Sequence, residues 1–293
     1  MKILCAIWLL AGSVLYADGP KLTGIAYGNG AFVAVGTAGI LMTSPDAATW
    51  TPGKTGTSAN LNDIAFANGQ FVAVGAGGTV LTSPDASQWT IRSSGTMNDL
   101  QSITYRNGVF IAVGNAGTIL SSPDAAVWMP SRSQTSRQLT GIEYGNGFFA
   151  VVGAGGTIVT SPDPGGWIEQ TSGTDRRLSS IAFGNGNFVI VGAGGIVLMS
   201  PDQGAWDRVV SHLGTTLNDV CCAAGQFVAV GDGGAIITSS GGSSWSQQSS
   251  GTRRNLYAVT YATGQFVTVG AGGVVLTSPD GANWSKPSKS NPL

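Results

Sequence analysis

The sequence predicts an all-β protein, a single seven-bladed β-propeller of four-stranded antiparallel blades. Two residue types recur every 39 positions without slippage, and the short apolar runs between them show no helical period. The recurring tryptophans are Trp50, Trp89, Trp128, Trp167, Trp206, Trp245 and Trp284. The recurring leucines, near which we expect the repeats to start, are Leu22, Leu61, Leu100, Leu139, Leu178, Leu217 and Leu256.

Each repeat divides into four short segments with the composition of strands. In the copy that starts at Leu61 these are "LNDIAF", "FVAVG", "TVLTS" and "WTIRSSGT", separated by an "NGQ" turn, an "AGG" turn and the "SPDASQW" corner. Because four strands cannot bury both faces of their own sheet, the repeats must pack on one another. A closed ring of blades meets this requirement, and a β-solenoid is the alternative.

The order of these segments predicts how the ring closes. The chain enters a first strand at Leu22 and leaves after a fourth strand, which leaves no strand to exchange between the termini. We therefore expect blade seven to pack against blade one through side chains alone.

The N-terminal segment has the pattern of a secretory signal. Residues 1–17, "MKILCAIWLLAGSVLYA", place one lysine before an apolar run and end in a small residue, which predicts cleavage near Ala17. The propeller then occupies residues 18–293, and we expect an exported protein, periplasmic or extracellular. No later stretch is long and apolar enough to span a bilayer. The formal net charge of -1 indicates neither nucleic acid nor an anionic membrane as partner, and we expect a monomer.

The corner S-P-D-x-x-x-W resembles the Asp-box, the S-x-D-x-G-x-T-W turn of sialidase-type repeat propellers. Blade six departs from it, since Gly241 replaces the aspartate. The resemblance implies that the box lies between the third and fourth strands, away from the active face. An aspartate in a tight turn accepts backbone N–H bonds, so we expect a structural role for Asp46, Asp85, Asp124, Asp163, Asp202 and Asp280. The tryptophans are expected to lie between blades, and carbohydrate contact by exposed tryptophans is the alternative.

Two specific activities are not expected from these motifs. Sialidases carry an early R-I-P motif, and the sequence contains none, so the resemblance extends to the fold and not to the reaction. The "VGAGG" element precedes a strand, whereas a phosphate-binding loop precedes a helix. We therefore expect no nucleotide and no other cofactor.

The loops just before the recurring leucines differ most among the copies and carry five arginines. Three of these occupy the same repeat position, and the other two lie beside them. We expect these loops on the face opposite the boxes, with the arginines converging near the axis to hold a protein or another anionic ligand. The alternative is that they only keep the surface soluble. They are Arg137, Arg176, Arg177, Arg253 and Arg254.

Two aspartates, Asp63 and Asp219, stand two residues after a recurring leucine, where the other copies have Gly, Ser or Ala. They are four blades apart and are expected at the channel mouth. A glycosidase would need its two carboxyl groups about 5 to 9.5 Å apart, and we expect a seven-bladed channel to be wider. Channel polarity or an arginine partner is the alternative. Glu143, at a position where most copies have Ala or Thr, has no assigned role.

The adjacent Cys221 and Cys222 are expected to be small buried hydrophobes, because neighbouring cysteines rarely form a disulfide. A redox or metal pair is the alternative. His212 is the only histidine, so further metal ligands are lacking and no metal site is expected.

The unit "NGQFVAVGAGGTVLTSPDASQWT" is similar to the repeats of exported bacterial propellers of unassigned role. More distantly it resembles the propellers of photosystem II assembly factors, a resemblance that implies an arginine-rich face holding a client membrane protein. Two hypotheses follow. The first is an exported, non-enzymatic binding scaffold that uses the arginine-bearing loops, and the second is a glycan-binding or glycan-cleaving propeller that uses Asp63 and Asp219.

Overall fold

The computed structural model describes residues 19–202 and 204–287, so the segment read as a signal peptide, residues 1–17, lies outside the described residues. Seven antiparallel sheets are present in this part of the chain, each made of strands that are consecutive in sequence. The all-β, seven-bladed architecture is therefore confirmed.

Every blade begins at one of the recurring leucines. The first four blades are β1–β4 (Leu22–Gly28, Ala31–Gly36, Leu41–Ser44, Thr51–Pro52), β5–β8 (Leu61–Ala67, Gln70–Gly75, Val80–Ser83, Thr90–Arg92), β9–β12 (Leu100–Arg106, Val109–Gly114, Thr118–Ser122, Met129–Arg132) and β13–β16 (Leu139–Gly145, Phe148–Gly153, Ile158–Ser161, Ile168–Gln170). The others are β17–β20 (Leu178–Gly184, Asn187–Gly192, Val197–Ser200, Asp207–Val209), β21–β24 (Leu217–Ala223, Gln226–Gly231, Ile236–Ser239, Ser246–Gln248) and β25–β27 (Leu256–Ala262, Gln265–Gly270, Val275–Ser278).

Blade seven is the least complete blade. Among the described residues, which end at position 287, its fourth strand consists of a single bridge between Thr277 and Ser285. In blade six the corresponding strand β24 pairs over three residues. The two residues after Ser285 are Lys286 and Pro287, and proline has no N–H with which to continue a ladder.

The first strand of each blade lines the axis of the ring. Each first strand contacts the first strand of the next blade, and β1 contacts β25 to close the circle. Closure involves packing of Val267 and Val269 against Phe32 and Ala34 in one apolar cluster. Within the described residues no strand is exchanged between the ends of the chain.

The core lies between blades. In the cluster between blades three and four, Ile111 and Val113 pack with Phe149, and Trp167 from the corner of blade four closes the outer side. The Trp167 side chain is 3% exposed, and its ring centroid lies 6.4 Å from that of Phe149. The tryptophans therefore lie between blades in the described ring, at the positions where the repeat places them.

The connections divide into two faces of the ring. One face, here called the turn face, carries the turns between first and second strands. It also carries the box corners, by which we mean the segments between third and fourth strands that end in the recurring tryptophans. The other, here called the loop face, carries the turns between second and third strands and the loops that lead into the next blade. The second-to-third-strand turns are 3₁₀ turns at Thr37–Gly39, Ala76–Gly78, Asn115–Gly117, Ala154–Gly156, Ala193–Gly195, Asp232–Gly234 and Ala271–Gly273.

The glycine at the end of each 3₁₀ turn lets the turn and the loop pack closely. Gly78 has φ +72°, and a Cβ there would lie 2.0 Å from the carbonyl oxygen of Thr96. A side chain would therefore displace the loop as well as strain the backbone. These glycines serve the hairpin and its contact with the loop.

Candidate functional site

The box corners are locked by their own aspartates. The Asp85 carboxylate accepts backbone N–H bonds from Ser87 at 2.9 Å and Gln88 at 3.2 Å, and a hydroxyl bond from Ser83. These bonds, those from Ser87 above all, hold the pKa of Asp85 at about 2. Backbone N–H bonds also lower the pKa of Asp46, Asp124 and Asp280.

Side-chain amides tie the corners to the preceding blade. Asn29 Nδ2 donates to the carbonyl oxygen of Pro84 at 2.6 Å, and Gln70 Nε2 donates to that of Asp124 at 2.9 Å. The same kind of bond joins Gln265 to Asp46 across the closing interface, at 3.4 Å. The turn face thus uses these side-chain amides to join neighbouring blades, and it presents box aspartates of which four have lowered pKa values.

The five arginines expected to bind a partner all lie on the loop face and are exposed, but they do not form one cluster. Arg137 Nη1 donates to the carbonyl oxygen of Gly155 at 2.6 Å, and Arg176 Nη1 donates to that of Gly194 at 3.1 Å. Both guanidinium groups lie over second-to-third-strand turns, so the expectation that all five converge near the axis is wrong for these two. Arg253 lines a separate surface groove in blade six.

Arg177 is the member of the set that reaches the axis. It lines a cavity of about 280 Å³ at the loop-face end of the channel. Burial lowers the pKa of its guanidinium although much of the side chain is exposed, which is consistent with a group at the rim of a cavity.

The two channel aspartates line this same cavity. Asp63 Oδ2 accepts bonds from Ser102 Oγ and the backbone N–H of Ile103, both at 3.0 Å and both from the next blade. Asp219 joins two neighbours, since it accepts from Ser180 Oγ at 2.7 Å and from the backbone N–H of Val259 at 2.8 Å. Each carboxylate therefore bridges blades.

Burial also changes the acidity of both aspartates. Loss of solvation raises the pKa of Asp63 to about 7, and the nearby charge of Asp219 adds to this rise. Burial likewise raises the pKa of Asp219. The arginine partner considered from the sequence is not found, because neither aspartate is in an ion pair within the described residues.

Glu143 and the cysteines lie outside the cavity lining. Glu143 Oε1 lies 3.8 Å from Arg106 Nη2 and accepts a bond from the backbone N–H of Tyr144. Burial raises its pKa, and the Arg106 charge opposes that rise. Cys221 and Cys222 are free thiols, both partly buried, with pKa values raised by burial. No cluster of three or more metal-ligating side chains occurs among residues 19–202 and 204–287.

The cavity contains residues that the sequence did not single out. The residue that follows each recurring leucine also faces the cavity, and in four blades it donates to the leucine carbonyl of the next blade, as Thr23 does to Leu61 at 2.6 Å. In the sequence, these residues could have been found as the mostly polar position that follows each recurring leucine in an otherwise largely apolar first strand. These residues are Thr23, Asn62, Gln101, Thr140, Ser179, Asn218 and Tyr257.

No family model and no curated protein matches the chain. Among solved structures, YCF48 from Cyanidioschyzon merolae has a TM-score of 0.71 at 19% identity, with 90% of this chain and 97% of that chain covered. A YCF48 structure bound to D1 peptide gives 0.72 at 18% identity, with 89% and 92% covered. The WD40 propeller domain of Doa1 gives 0.71 at 13% identity, with 93% and 95% covered.

The described part of the chain contains no helix long and apolar enough to cross a membrane. The identities to the solved structures are all below 25%, so the likeness concerns the fold and does not transfer an activity. What these comparisons establish is that the chain has the fold of the β-propellers.

Proposed function

We propose that the chain is an exported, non-enzymatic binding scaffold that holds a protein or another anionic partner on its loop face. The observation that carries the proposal is the uneven distribution of arginines between the two faces. Arg137, Arg176, Arg177, Arg253 and Arg254 are all exposed on the loop face. The turn face carries the box aspartates, several of which have lowered pKa values. An acidic partner is attracted to the first face and repelled by the second.

The structural neighbours support a protein as the partner. A propeller of the same overall shape, YCF48, has been solved with the D1 peptide bound. Because the identity is low, the D1 peptide itself is not carried over to this chain. The complex nevertheless supports peptide binding as a function for a propeller of this shape. An assembly-factor role, which the sequence resemblance to assembly-factor propellers implies, is one form of this proposal.

The test uses a defined acidic probe. A peptide of six glutamates is titrated onto the wild-type protein and onto the Arg176→Ala plus Arg254→Ala variant, at low and at raised salt. We expect about a tenfold loss of affinity in the variant and a weaker salt dependence, because two charge-assisted contacts are removed. The matched control is Arg132→Ala plus Arg208→Ala, which removes the same charge from outer strands. Equal affinity of all three proteins would exclude the arginine-bearing loops as the binding surface.

Glycan recognition is the alternative that the cavity leaves open. The raised pKa of Asp63 favours it, because a carboxyl group that is protonated near neutral pH can donate a hydrogen bond or a proton to a sugar oxygen. It predicts binding or hydrolysis on a glycan panel that is abolished by Asp63→Ala or Asp219→Ala. Activity that survives both substitutions would exclude these two residues.

Export belongs to the proposal and has a separate test. N-terminal sequencing of the protein recovered from outside the cytoplasm is expected to begin at Asp18, after removal of residues 1–17. A protein that retains Met1 in that fraction would contradict signal cleavage.

A further inference from the structure

The residue immediately before each recurring leucine, here called the pre-leucine residue, can accept a hydrogen bond from the blade before it. In three blades its side-chain oxygen accepts the N–H of the middle residue of the preceding blade's 3₁₀ turn. These bonds join Ala38 to Asn60 Oδ1 at 2.9 Å, Gly77 to Asp99 Oδ1 at 2.8 Å and Gly233 to Asn255 Oδ1 at 2.9 Å. The repeat thus presents a turn N–H that bonds to an oxygen, and in one case the oxygen belongs to a carboxylate.

The 3₁₀ turn of blade four has the same geometry, but the chain supplies no oxygen to it. Gly155 has φ 63° and ψ 31°, and Gly77 has φ 62° and ψ 28°. The pre-leucine residue that follows the Gly155 turn is Arg177, whose guanidinium has only donors and cannot accept a bond. Within residues 19–202 and 204–287, the Gly155 N–H makes no hydrogen bond. A partner can therefore supply the oxygen that Asp99 supplies to the turn of blade two.

Two arginines flank the Gly155 turn. Arg137 Nη1 donates to the carbonyl oxygen of Gly155 at 2.6 Å, which leaves the other donors of its guanidinium free to bond a ligand at the same turn. Arg177 extends from the repeat position of Asp99, and the strand that begins directly after it, β17, contacts the turn. Neither arginine is in an ion pair in the described part of the chain. The turn that lacks an acceptor is thus also a turn with unneutralised positive charge.

The turn can be reached from solvent through a surface groove. Gly155 and Arg137 line a groove of about 500 Å³ on blade four. Gly77 and Gly233 line the equivalent grooves of blades two and six, of about 400 and 600 Å³. Glu169, from the outer strand β16, also lines the blade-four groove and forms no ion pair with Arg137. The three grooves therefore differ in whether the chain itself provides the oxygen at the turn.

Two other turns with a central glycine also lack the bond, but they offer less charge or less room. The Gly194 turn has Thr216 as its pre-leucine residue, which is uncharged. The Gly272 turn has Lys21, but the start of the described chain packs on it, since a Cβ at Gly19 would lie 3.2 Å from the Gly272 backbone. Positive charge and access therefore combine best at the Gly155 turn.

We propose that the blade-four turn binds a side-chain carboxylate of an aspartate or glutamate of the partner. One carboxylate oxygen accepts the Gly155 N–H, as Asp99 Oδ1 accepts that of Gly77. Arg137 donates to the carboxylate, and Arg177 adds a second positive charge from the pre-leucine position. The inference rests on the proposed function, because it names the place on the loop face where the acidic partner is held.

The first experiment observes the Gly155 amide directly. The ¹⁵N-labelled full propeller is titrated with N-acetyl-glutamate α-amide, whose carboxylate is in the side chain, and with N-acetyl-glutamine α-amide as the matched neutral probe. The Gly155 amide proton should shift downfield and saturate with the glutamate probe, because it gains a charged acceptor, and it should not respond to the glutamine probe. The Gly77 amide is the internal control, because Asp99 already accepts its N–H.

Two substitutions at Arg177 separate the effect of charge from that of the oxygen. Arg177→Thr and Arg177→Asn both remove the cation, and both side chains occur at this position in other copies, as Thr216, Asn60 and Asn255. Arg177→Thr is expected to weaken binding of the glutamate probe about threefold, because one positive charge is lost. Arg177→Asn is expected to weaken it about tenfold or more, because the new amide oxygen accepts the Gly155 N–H itself, as in the blades that carry Asn.

Three results would overturn the inference. They are shifts of equal size at Gly155 and Gly77, an equal response of the Gly155 amide to both probes, and equal affinity of Arg177→Asn and Arg177→Thr for the glutamate probe. If a variant does not fold, the comparison of the two probes and the two amides in the wild-type protein decides the matter alone. Failure of the proposed function is seen separately, as hexaglutamate binding that does not depend on Arg176 and Arg254, neither of which is changed in these variants.

Discussion

The turn face and the loop face are built from the same 39-residue repeat, yet they use their polar groups differently. On the turn face, the Asp85 carboxylate and the Asn29 amide are both engaged in bonds that hold corners and neighbouring blades together. On the loop face, the residues before the recurring leucines vary between copies and include five arginines, of which Arg137 and Arg176 extend over the neighbouring turns. The shared residues of the repeat therefore hold the turn face together, whereas the residues of the loop face can differ from copy to copy without loss of these bonds.

The comparison predicts that the largest loss of stability comes from residues common to all copies. Trp167→Ala would leave a cavity between blades three and four, where the indole packs with Phe149. We expect a loss of about 3 to 5 kcal/mol in the free energy of unfolding, measured by chemical denaturation. A loss below about 1 kcal/mol would mean that the corner is not part of the inter-blade core.

The channel aspartates are predicted to have the next largest effect, and it depends on pH. The pKa of Asp63 is raised in the folded protein from its usual 3.8 to about 7, so the folded state binds more protons than the unfolded state between these values. Stability should therefore fall as the pH rises through this window, by up to about 4 kcal/mol.

The test is Asp63→Asn, whose side chain cannot ionise. The stability of the variant should therefore fall much less with rising pH than that of the wild type. The difference between the two melting temperatures, variant minus wild type, should increase between about pH 4 and about pH 8. The exposed Asp175→Asn serves as the control. A wild-type protein that becomes more stable over the same pH range would contradict the burial of this charge.

A smaller effect is predicted for a single tie on the turn face. Gln70→Ala removes the bond from the Gln70 amide to the carbonyl oxygen of Asp124 at 2.9 Å. We expect a loss of about 0.5 to 1.5 kcal/mol by chemical denaturation. Gln88→Ala, on the box corner of the same blade, is the control. Equal losses in the free energy of unfolding for the two substitutions would show that the bond from Gln70 to Asp124 does not stabilise the protein.

The smallest effect on stability is predicted for the loop face. Arg176→Ala is expected to change the free energy of unfolding by no more than about 0.5 kcal/mol, because the side chain is exposed and bonds only to turn carbonyls. If thermal unfolding shows that Arg176→Ala lowers the melting temperature as much as Trp167→Ala does, Arg176 has a structural role and the prediction is wrong.

The fold could be predicted from the sequence because the same pattern of strand and turn residues recurs every 39 positions in all seven copies. Trp167 and its equivalents had to be structural, since one shared contact between blades explains their spacing. The placement of the arginines was harder to predict, because a long flexible side chain on a loop has several acceptors within reach. Arg137 bonds to the turn at Gly155, whereas Arg177, at the next position of its own repeat, turns to the axis.

The cavity needed the structure for a similar reason. Asp63 and Asp219 attracted attention because they differ from the other copies. Ser179, Lys21 and Tyr257 did not, because a serine, a lysine near the chain start and a tyrosine in a strand each have ordinary explanations. Only closure of the ring brings these residues of blades one, five and seven around one space.

The most direct test of the central claim is a map of backbone hydrogen exchange with and without the bound hexaglutamate probe. If the loop face is the binding surface, protection should appear in the loops at 133–138, 173–177 and 251–255, and the box corners at 84–88 and 123–127 should exchange at unchanged rates. Protection of the box corners, with the arginine-bearing loops unaffected, would contradict the assignment of binding to the loop face.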